Sequence, residues 1–395
     1  MSGPLDGIRV IDLSAVISGP MCCQVLADQG AEVVKIEPHG IGDITRIGAY
    51  RVGDISPMFA AVNRGKPSVA LDLSQEAGIE VIHRLAARAD VVVQNFRPGA
   101  VERMGIGPDH LHAVNPDLVY VSISGFGPSG PYRDWRVYDP IIQALSGAVS
   151  VQHSTDIPIP DLIRTLVADK STALMAAQAI TAALFARARG QARGQHLVIP
   201  MLDTFLYWLW PDLFQKHSFT GDDVVPGPLL YEIYRLQPTA DGHLVYFAAS
   251  DVEWHGLVHA LGHPEWWQDE RFTSPAGRFA NFPAIGSLVN AAFLALPTEE
   301  ALAALHAHQV PAAPVSSLDA VFDDEQVRHN DTVHTWEHPS AGPIRQARPP
   351  VRWSHTDHEA VWDVETLGQS TDDVLRANGY DDAARARLRE AGVIR

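Results

Sequence analysis

The feature that most restricts the fold is an alternation in the first 130 residues. Short runs of aliphatic and β-branched residues lie at 8–13 (IRVIDL), 32–37 (EVVKIE), 68–73 (SVALDL), 90–94 (DVVVQ) and 118–124 (LVYVSIS). Runs with helical character separate most of them, at 20–29, 75–88 and 100–114. Strands divided by helices cannot pair as simple hairpins. They need crossovers, and crossovers make parallel neighbours. Such connections are almost always right-handed, which points to an α/β chain with a doubly wound parallel sheet. No GxGxxG follows the first strand, so this sheet does not by itself imply a nicotinamide cofactor.

Further along, residues 125–130 (GFGPSG) are a cluster of helix and strand breakers and read as a loop at a strand end. Residues 171–189, rich in Ala, Leu, Met and Gln, are the clearest helix in the chain, with Asp169 just ahead of it and Gly190 and Gly194 behind. A strand over 195–199 and a helix over 201–210 follow. Gly and Pro then mark a linker over 216–230. A strand at 243–248 and helices at 252–261 and 299–308 give a smaller α+β domain at about 225–320. From Thr366 onward a helix, a turn at Gly379 and a second helix close the chain.

A length of 395 residues exceeds what one ordinary core supports, and 46% hydrophobic with 19% charged residues is a normal globular balance. The net charge of −17 argues against a nucleic-acid partner. Cys22 and Cys23 are adjacent, so no disulfide framework is expected. The start MSGPLD lacks the basic and apolar segments of a signal peptide, and no run of 18 apolar residues is free of charges and breakers. The expectation is a soluble cytoplasmic protein with no membrane partner.

Several residues are candidates for chemistry. An Asp at a helix start is first of all an N-cap, worth roughly 1 kcal/mol. The same position favours the ionised form, and an ionised carboxylate can attack a thioester carbonyl to form an acyl intermediate. Spacing leaves both readings of Asp169 open. The segment Asn95-Phe96-Arg97-Pro98-Gly99 ends the strand at 90–94, where ligands of open α/β sheets bind; it also suits an ordinary turn. Arg46, Arg64, Lys66, Arg97, Arg103 and Arg136 are basic groups that could neutralise a phosphate-bearing ligand in an otherwise acidic chain. His255 and His259 are four apart without HExxH or a cysteine cluster, so no metal site is expected. Trp208, Trp210, Trp266 and Trp267 read as packing or interface residues, and Ser122 and Ser124 lack GxSxG.

Taken in order, the strings PLDGIRVID, Gly19-Pro20, LADQGAEVVKIE, Gly42-Asp43, NRGK before LDL, NFRPG, SGFG, Asp169-Lys170, Gly194-Gln195-His196 and the ending at 388–394 resemble the class III CoA-transferase family, across nearly the whole chain. That family includes formyl-CoA and carnitine CoA-transferases. The resemblance implies a Rossmann-like large domain built from both chain ends (1–224 with a return at 321–395), a small domain between them (225–320), and an interlocked homodimer. It implies coenzyme A or acyl-CoA as substrate with no permanently bound cofactor, and a small carboxylic acid as acceptor. Asp169 aligns with the family's catalytic aspartate, which passes through a mixed anhydride and an aspartyl-CoA thioester. The CoA-binding positions carried over are Val16, Ile17, Leu71, Asp72, Leu73, Ser74, Asn95, Phe96, Arg97, Arg103, Arg136, Val137, Tyr138 and Asp139. Formyl-CoA transferases also share a Gly-rich loop over the active site; no such run stands between 220 and 265, which points away from formyl-CoA and oxalate.

Two other readings compete. An α-methylacyl-CoA racemase needs an acid and a base flanking the α-carbon, and there a Gly-His-Asp string follows the GxG loop. Here that place reads Arg136-Val137-Tyr138-Asp139, without His. A CoA-binding protein without activity is the second, and retention of Asp169 speaks against it.

Overall fold

The computed structural model describes residues 3–152, 160–224, 227, 229–356 and 358–395. Val225, Pro226 and Pro228 of the expected linker lie outside the described residues. The chain divides into two compact units, Met1–Trp210 with Asn330–Arg395, and Pro211–His329. The sequence reading placed these divisions at 224/225 and 320/321.

The first unit is built on six parallel strands: β1 (Arg9–Asp12), β2 (Glu32–Pro38), β3 (Ser68–Leu71), β4 (Val91–Gln94), β5 (Val119–Ser124) and β6 (Gln195–Pro200). Their order in the sheet is β3-β2-β1-β4-β5-β6. This is the doubly wound order, which reverses between β1 and β4. Every residue of β3 and of β4 is buried: β4 lies between two neighbours inside the sheet, and β3, at its edge, is covered by the returning end of the chain.

Helices fill the crossovers: α1 (Ser18–Ala27), α2 (Pro57–Asn63), α3 (Glu76–Ala86), α4 (Ala100–Arg103), α5 (Pro108–Val114), α6 (Asp139–Leu145) and α7 (Val167–Ala188), and α8 (Met201–Leu213) follows β6. The single helical piece expected over 100–114 is two helices, because Gly105 sits at φ 76° and Pro108 starts a new one. α7 begins at Val167 with Leu166 at its N-cap, so Asp169 lies inside the first turn rather than ahead of the helix. α1 and α7 pack together and bury small side chains, among them Gly19, Cys22, Cys23, Ala173, Ala176 and Ala177.

The end of the chain returns to the edge strand β3. Asp72 N–H donates to Val393 O at 2.8 Å, and Ala70 N–H to Thr371 Oγ1 at 3.1 Å. Leu375, Tyr380, Val393 and Ile394 join Leu71, Val81 and Leu85 in the core. The return covers an edge that would otherwise expose unpaired backbone groups.

The second unit packs an antiparallel sheet (Gln237–Pro238, His243–Tyr246, Ala312–Pro314) with helices Asp251–Ala260, Phe282–Leu294 and Thr298–Ala307 around Trp254, Leu257, Phe272 and Phe293. The helix over Phe282–Leu294 and a hairpin in the first unit (Val333–His338 with Gly342–Ala347) were not foreseen. Among the described residues, no single helix is long and apolar enough to cross a membrane.

Candidate active site

The strand order reverses between β1 and β4, and open α/β sheets bind ligands at the carboxyl ends of the strands near such a reversal. A cavity of about 610 Å³ lies there, lined by Leu13–Ala15, Lys35–Gly40, Asp43, Leu71–Ser74, Phe96 and Met104. Five of the residues expected to hold CoA, namely Leu71, Asp72, Leu73, Ser74 and Phe96, are on its wall. The other nine, Val16, Ile17, Asn95, Arg97, Arg103, Arg136, Val137, Tyr138 and Asp139, do not line it, and neither does Asp169.

Val16 and Asn95 fix the loop after β1, which contributes Ala15 to the cavity wall. Val16 is a β-branched residue at φ 71°, a backbone region that such residues avoid. Its surroundings hold it there. Asn95 Oδ1 accepts from Ala15 N–H at 2.9 Å and Asn95 Nδ2 donates to Ala15 O at 2.7 Å, so one side chain ties the β4 loop to the β1 loop. Val16 N–H donates to the Asp43 carboxylate at 3.2 Å, and Lys35 Nζ donates to Ser14 O at 2.6 Å. Ile17 is buried as the N-cap of α1 and does not line the cavity.

The basic residues separate into two groups. Arg46, Arg64 and Lys66, expected as phosphate partners, are buried and already paired. Arg46 binds Glu37 through two bonds of 2.7 Å, Arg64 binds Asp28 at 2.7 Å, and Lys66 binds Asp12 at 2.9 Å. Burial pushes the Glu37 and Asp12 carboxyls up, but their cationic partners hold both below the ordinary value. Arg97, Arg103 and Arg136 are exposed. A side chain at Gly99, whose φ of 81° favours glycine, would meet Arg103 Nη1 at 3.0 Å and Arg133 Nη2 at 3.4 Å. Two guanidinium groups therefore converge on the loop after β4, and neither has a carboxylate partner among the described residues. Like charges brought together without a counter-ion suit a phosphate.

Arg133 escaped the sequence reading. It lies within an aromatic cluster in the chain: Tyr132 stacks on Trp135 at 4.0 Å, and Phe126 meets both rings edge-on. The signal was present in the sequence as aromatic residues just beyond a Gly-Pro loop, where a breaker cluster alone would not need them. Val137 packs on Gly125 at the end of β5, and Tyr138 is exposed at the N-cap of α6.

Asp169 is 8% exposed. It remains ionised at neutral pH, as expected for a carboxylate at a helix start, but its pKa is pushed up from 3.8 to about 6, first by burial and then by the charge of Asp139, against hydrogen bonds from Ser18 at the start of α1. The desolvation of a nearly buried carboxylate outweighs the helix-terminus effect. Asp139, expected among the CoA contacts, is 1% exposed, and both its oxygens are engaged within the fold: Oδ2 accepts from Asp169 N–H at 2.9 Å and Oδ1 from Gln143 at 2.5 Å. A buried carboxylate of raised basicity can act as a nucleophile or as a general base.

Comparison with known proteins narrows that choice. The family description "CoA-transferase family III" matches residues 5–371. A formyl-CoA:oxalate CoA-transferase of Bradyrhizobium sp. is 30% identical over 100% of this chain and 98% of its own. A succinyl-CoA:glutarate CoA-transferase of Mus musculus is 32% identical over 99% of this chain and 90% of its own. The crystal structure of a CaiB/BaiF family protein from Brucella suis superposes with a TM-score of 0.80 at 30% identity, covering 96% of this chain and 100% of that one.

Proposed function

The chain belongs to CoA-transferase family III, and from that premise we propose that Asp169 carries CoA from an acyl-CoA thioester to a carboxylic acid acceptor. An Asp169 oxygen attacks the thioester carbonyl carbon, the C–S bond breaks, and CoA leaves as the thiolate. The product is a mixed anhydride between the acyl group and Asp169. The thiolate then attacks Asp169 Cγ, releasing the original acid as carboxylate and leaving an aspartyl-CoA thioester. The acceptor carboxylate runs the same two steps in reverse, which forms the new acyl-CoA and restores Asp169. Splitting the exchange this way avoids direct attack of one weakly nucleophilic free acid on a thioester in water.

The observation that supports this reading best is the raised proton affinity of Asp169, with a pKa of about 6. At neutral pH the group is still ionised, and it is more basic than a solvated carboxylate, so it competes better with a thiolate leaving group. The CoA nucleotide portion occupies the cavity beside Leu71–Ser74 and Phe96. Arg97, Arg103, Arg133 and Arg136 meet its phosphates. Val16 and Ile17 form the elbow against its base, and Val137 and Tyr138 lie on the route to Asp169.

The enzyme works as an interlocked homodimer in the cytoplasm. Exposed apolar side chains on α7 (Leu174, Phe185) and α8 (Tyr207, Trp208, Trp210) are in keeping with a partner that covers them. Light scattering in solution checks this and should give twice the chain mass.

Trapping tests the chemistry. The protein is treated with acyl-CoA, then hydroxylamine, and the peptide holding Asp169 is examined by mass spectrometry. A hydroxamate at Asp169, absent from Asp169→Ala, is the expected result. Undiminished CoA transfer by Asp169→Ala would overturn the assignment.

A further inference from the structure

The first turn of α7 lacks a local cap: Leu166 is its N-cap and offers no side-chain hydrogen bond. The N–H groups of a first turn have no partner within the helix and must find one elsewhere. Asp169 N–H finds it 30 residues back in the sequence, on Asp139 Oδ2 at 2.9 Å. Asp139 in turn is held by Gln143, one turn along α6, whose Nε2 donates to Asp139 Oδ1 at 2.5 Å. The same amide nitrogen reaches Ile163 O and Thr165 O, each at 3.1 Å, and Gln143 Oε1 accepts from Ile163 N–H at 2.9 Å. One buried glutamine thus fixes both the carboxylate that caps α7 and the strand of chain that enters α7. Asp139 and Gln143 are 1% and 2% exposed, so water does not substitute for these bonds.

We infer that Asp139 and Gln143 form a positioning clamp for Asp169: Gln143 orients Asp139, and Asp139 holds the Asp169 backbone and sets the charge environment of its carboxyl. This rests on Asp169 being the nucleophile, and it assigns Asp139 a role other than contact with CoA. The clamp has an electrostatic side. After burial, Asp139 is the largest influence raising the proton affinity of Asp169, and the Ser18 hydroxyl and amide of α1 oppose it. The other titratable side chains on the elements packed against α7, namely Cys22 and Cys23 of α1, Tyr120 of β5 and His196 of β6, do not act on it.

The experiment compares wild type with Asp139→Asn and, in case the amide disrupts the Gln143 contact, with the smaller neutral variant Asp139→Ser. The Asp169 carboxyl is titrated by carbon-13 NMR, with its signal assigned through Asp169→Asn. Steady-state kinetics are measured over pH. In both variants the titration midpoint of Asp169 should fall below about 6. Their kcat should drop on the order of 100-fold, the size of effect a misplaced reacting group produces, while KM for acyl-CoA stays within about threefold. The acid limb of the rate profile should shift to lower pH with the NMR midpoint. An unchanged Asp169 midpoint, or a large rise in KM with kcat preserved, would overturn the clamp and return Asp139 to the CoA contacts. If the hydroxylamine experiment finds no adduct on Asp169 but the midpoint still moves, the clamp stands and the nucleophile assignment alone fails.

Discussion

Replacing Asp169 by Asn should stabilise the protein while abolishing transfer. In the folded chain the pKa of this carboxyl rises from 3.8 to about 6 because the group is buried beside Asp139. At roughly 1.4 kcal/mol per pH unit, holding it ionised at neutral pH costs the folded state on the order of 3 kcal/mol relative to the unfolded chain. Asn keeps the shape, removes the charge and the repulsion from Asp139, and loses part of the hydrogen bonding with Ser18. A net gain of about 1–2 kcal/mol remains, or about 2–6 °C in the melting temperature of a unit this large. The sign with pH follows from the raised value. Protonated Asp169 is favoured by the fold, that stability is lost as pH rises from 3.8 through about 6, and so the advantage of the variant is full above pH 6 and closes towards pH 4. Calorimetry at pH 8, 6 and 4.5, reading the transition of the unit that contains α7, measures it. A variant that melts at or below wild type at pH 8, or whose advantage does not shrink in acid, would refute the argument. A gain in stability bought with lost activity is the usual signature of a strained functional site.

Other outcomes follow from the same geometry. The rate with acyl-CoA should lose about tenfold per pH unit below a midpoint of about 6, because only ionised Asp169 attacks; a pH–rate profile reads this. Arg46→Met should destabilise the first unit by about 3–5 kcal/mol, since it strands the buried Glu37 carboxylate; thermal or urea unfolding shows the size. Arg103→Gln and Arg133→Gln should each raise KM for acyl-CoA about tenfold with kcat little changed, and more at low salt than at high; a KM of wild-type size would separate these residues from the phosphates. Incubation with a 2-methylacyl-CoA in deuterated water should give no α-proton exchange, because no histidine stands between Arg136 and Asp139 to complete an acid–base pair.

The parallel sheet was legible because burial on both faces demands continuous aliphatic strands, and the runs at 68–71 and 91–94 have that composition. The address of the site was legible too. A polar and aromatic loop, Asn95 to Gly99, closes β4, and β4 lies at the reversal of strand order. Local sequence failed where meaning depends on a distant partner. Arg46 and Arg103 look alike as basic loop residues, yet one is locked between Glu37 and the carbonyl of Glu365, and the other faces Arg133 across Gly99. Asp169 and the helix behind it could be read directly, since apolar composition and helix-start chemistry act over a few residues. Its proton affinity could not. That was decided by burial under α1 and by an aspartate 30 residues away, and the folding of the chain alone brings those charges within reach of each other. Sequence by itself determined the parallel strands and most of the helices of the first unit, and its resemblance to CoA-transferase family III pointed to the carboxylate proposed here. Tertiary structure decided which charges neutralise one another and which remain to meet a substrate, because electrostatic interaction depends on distance and desolvation, and neither is local in the chain.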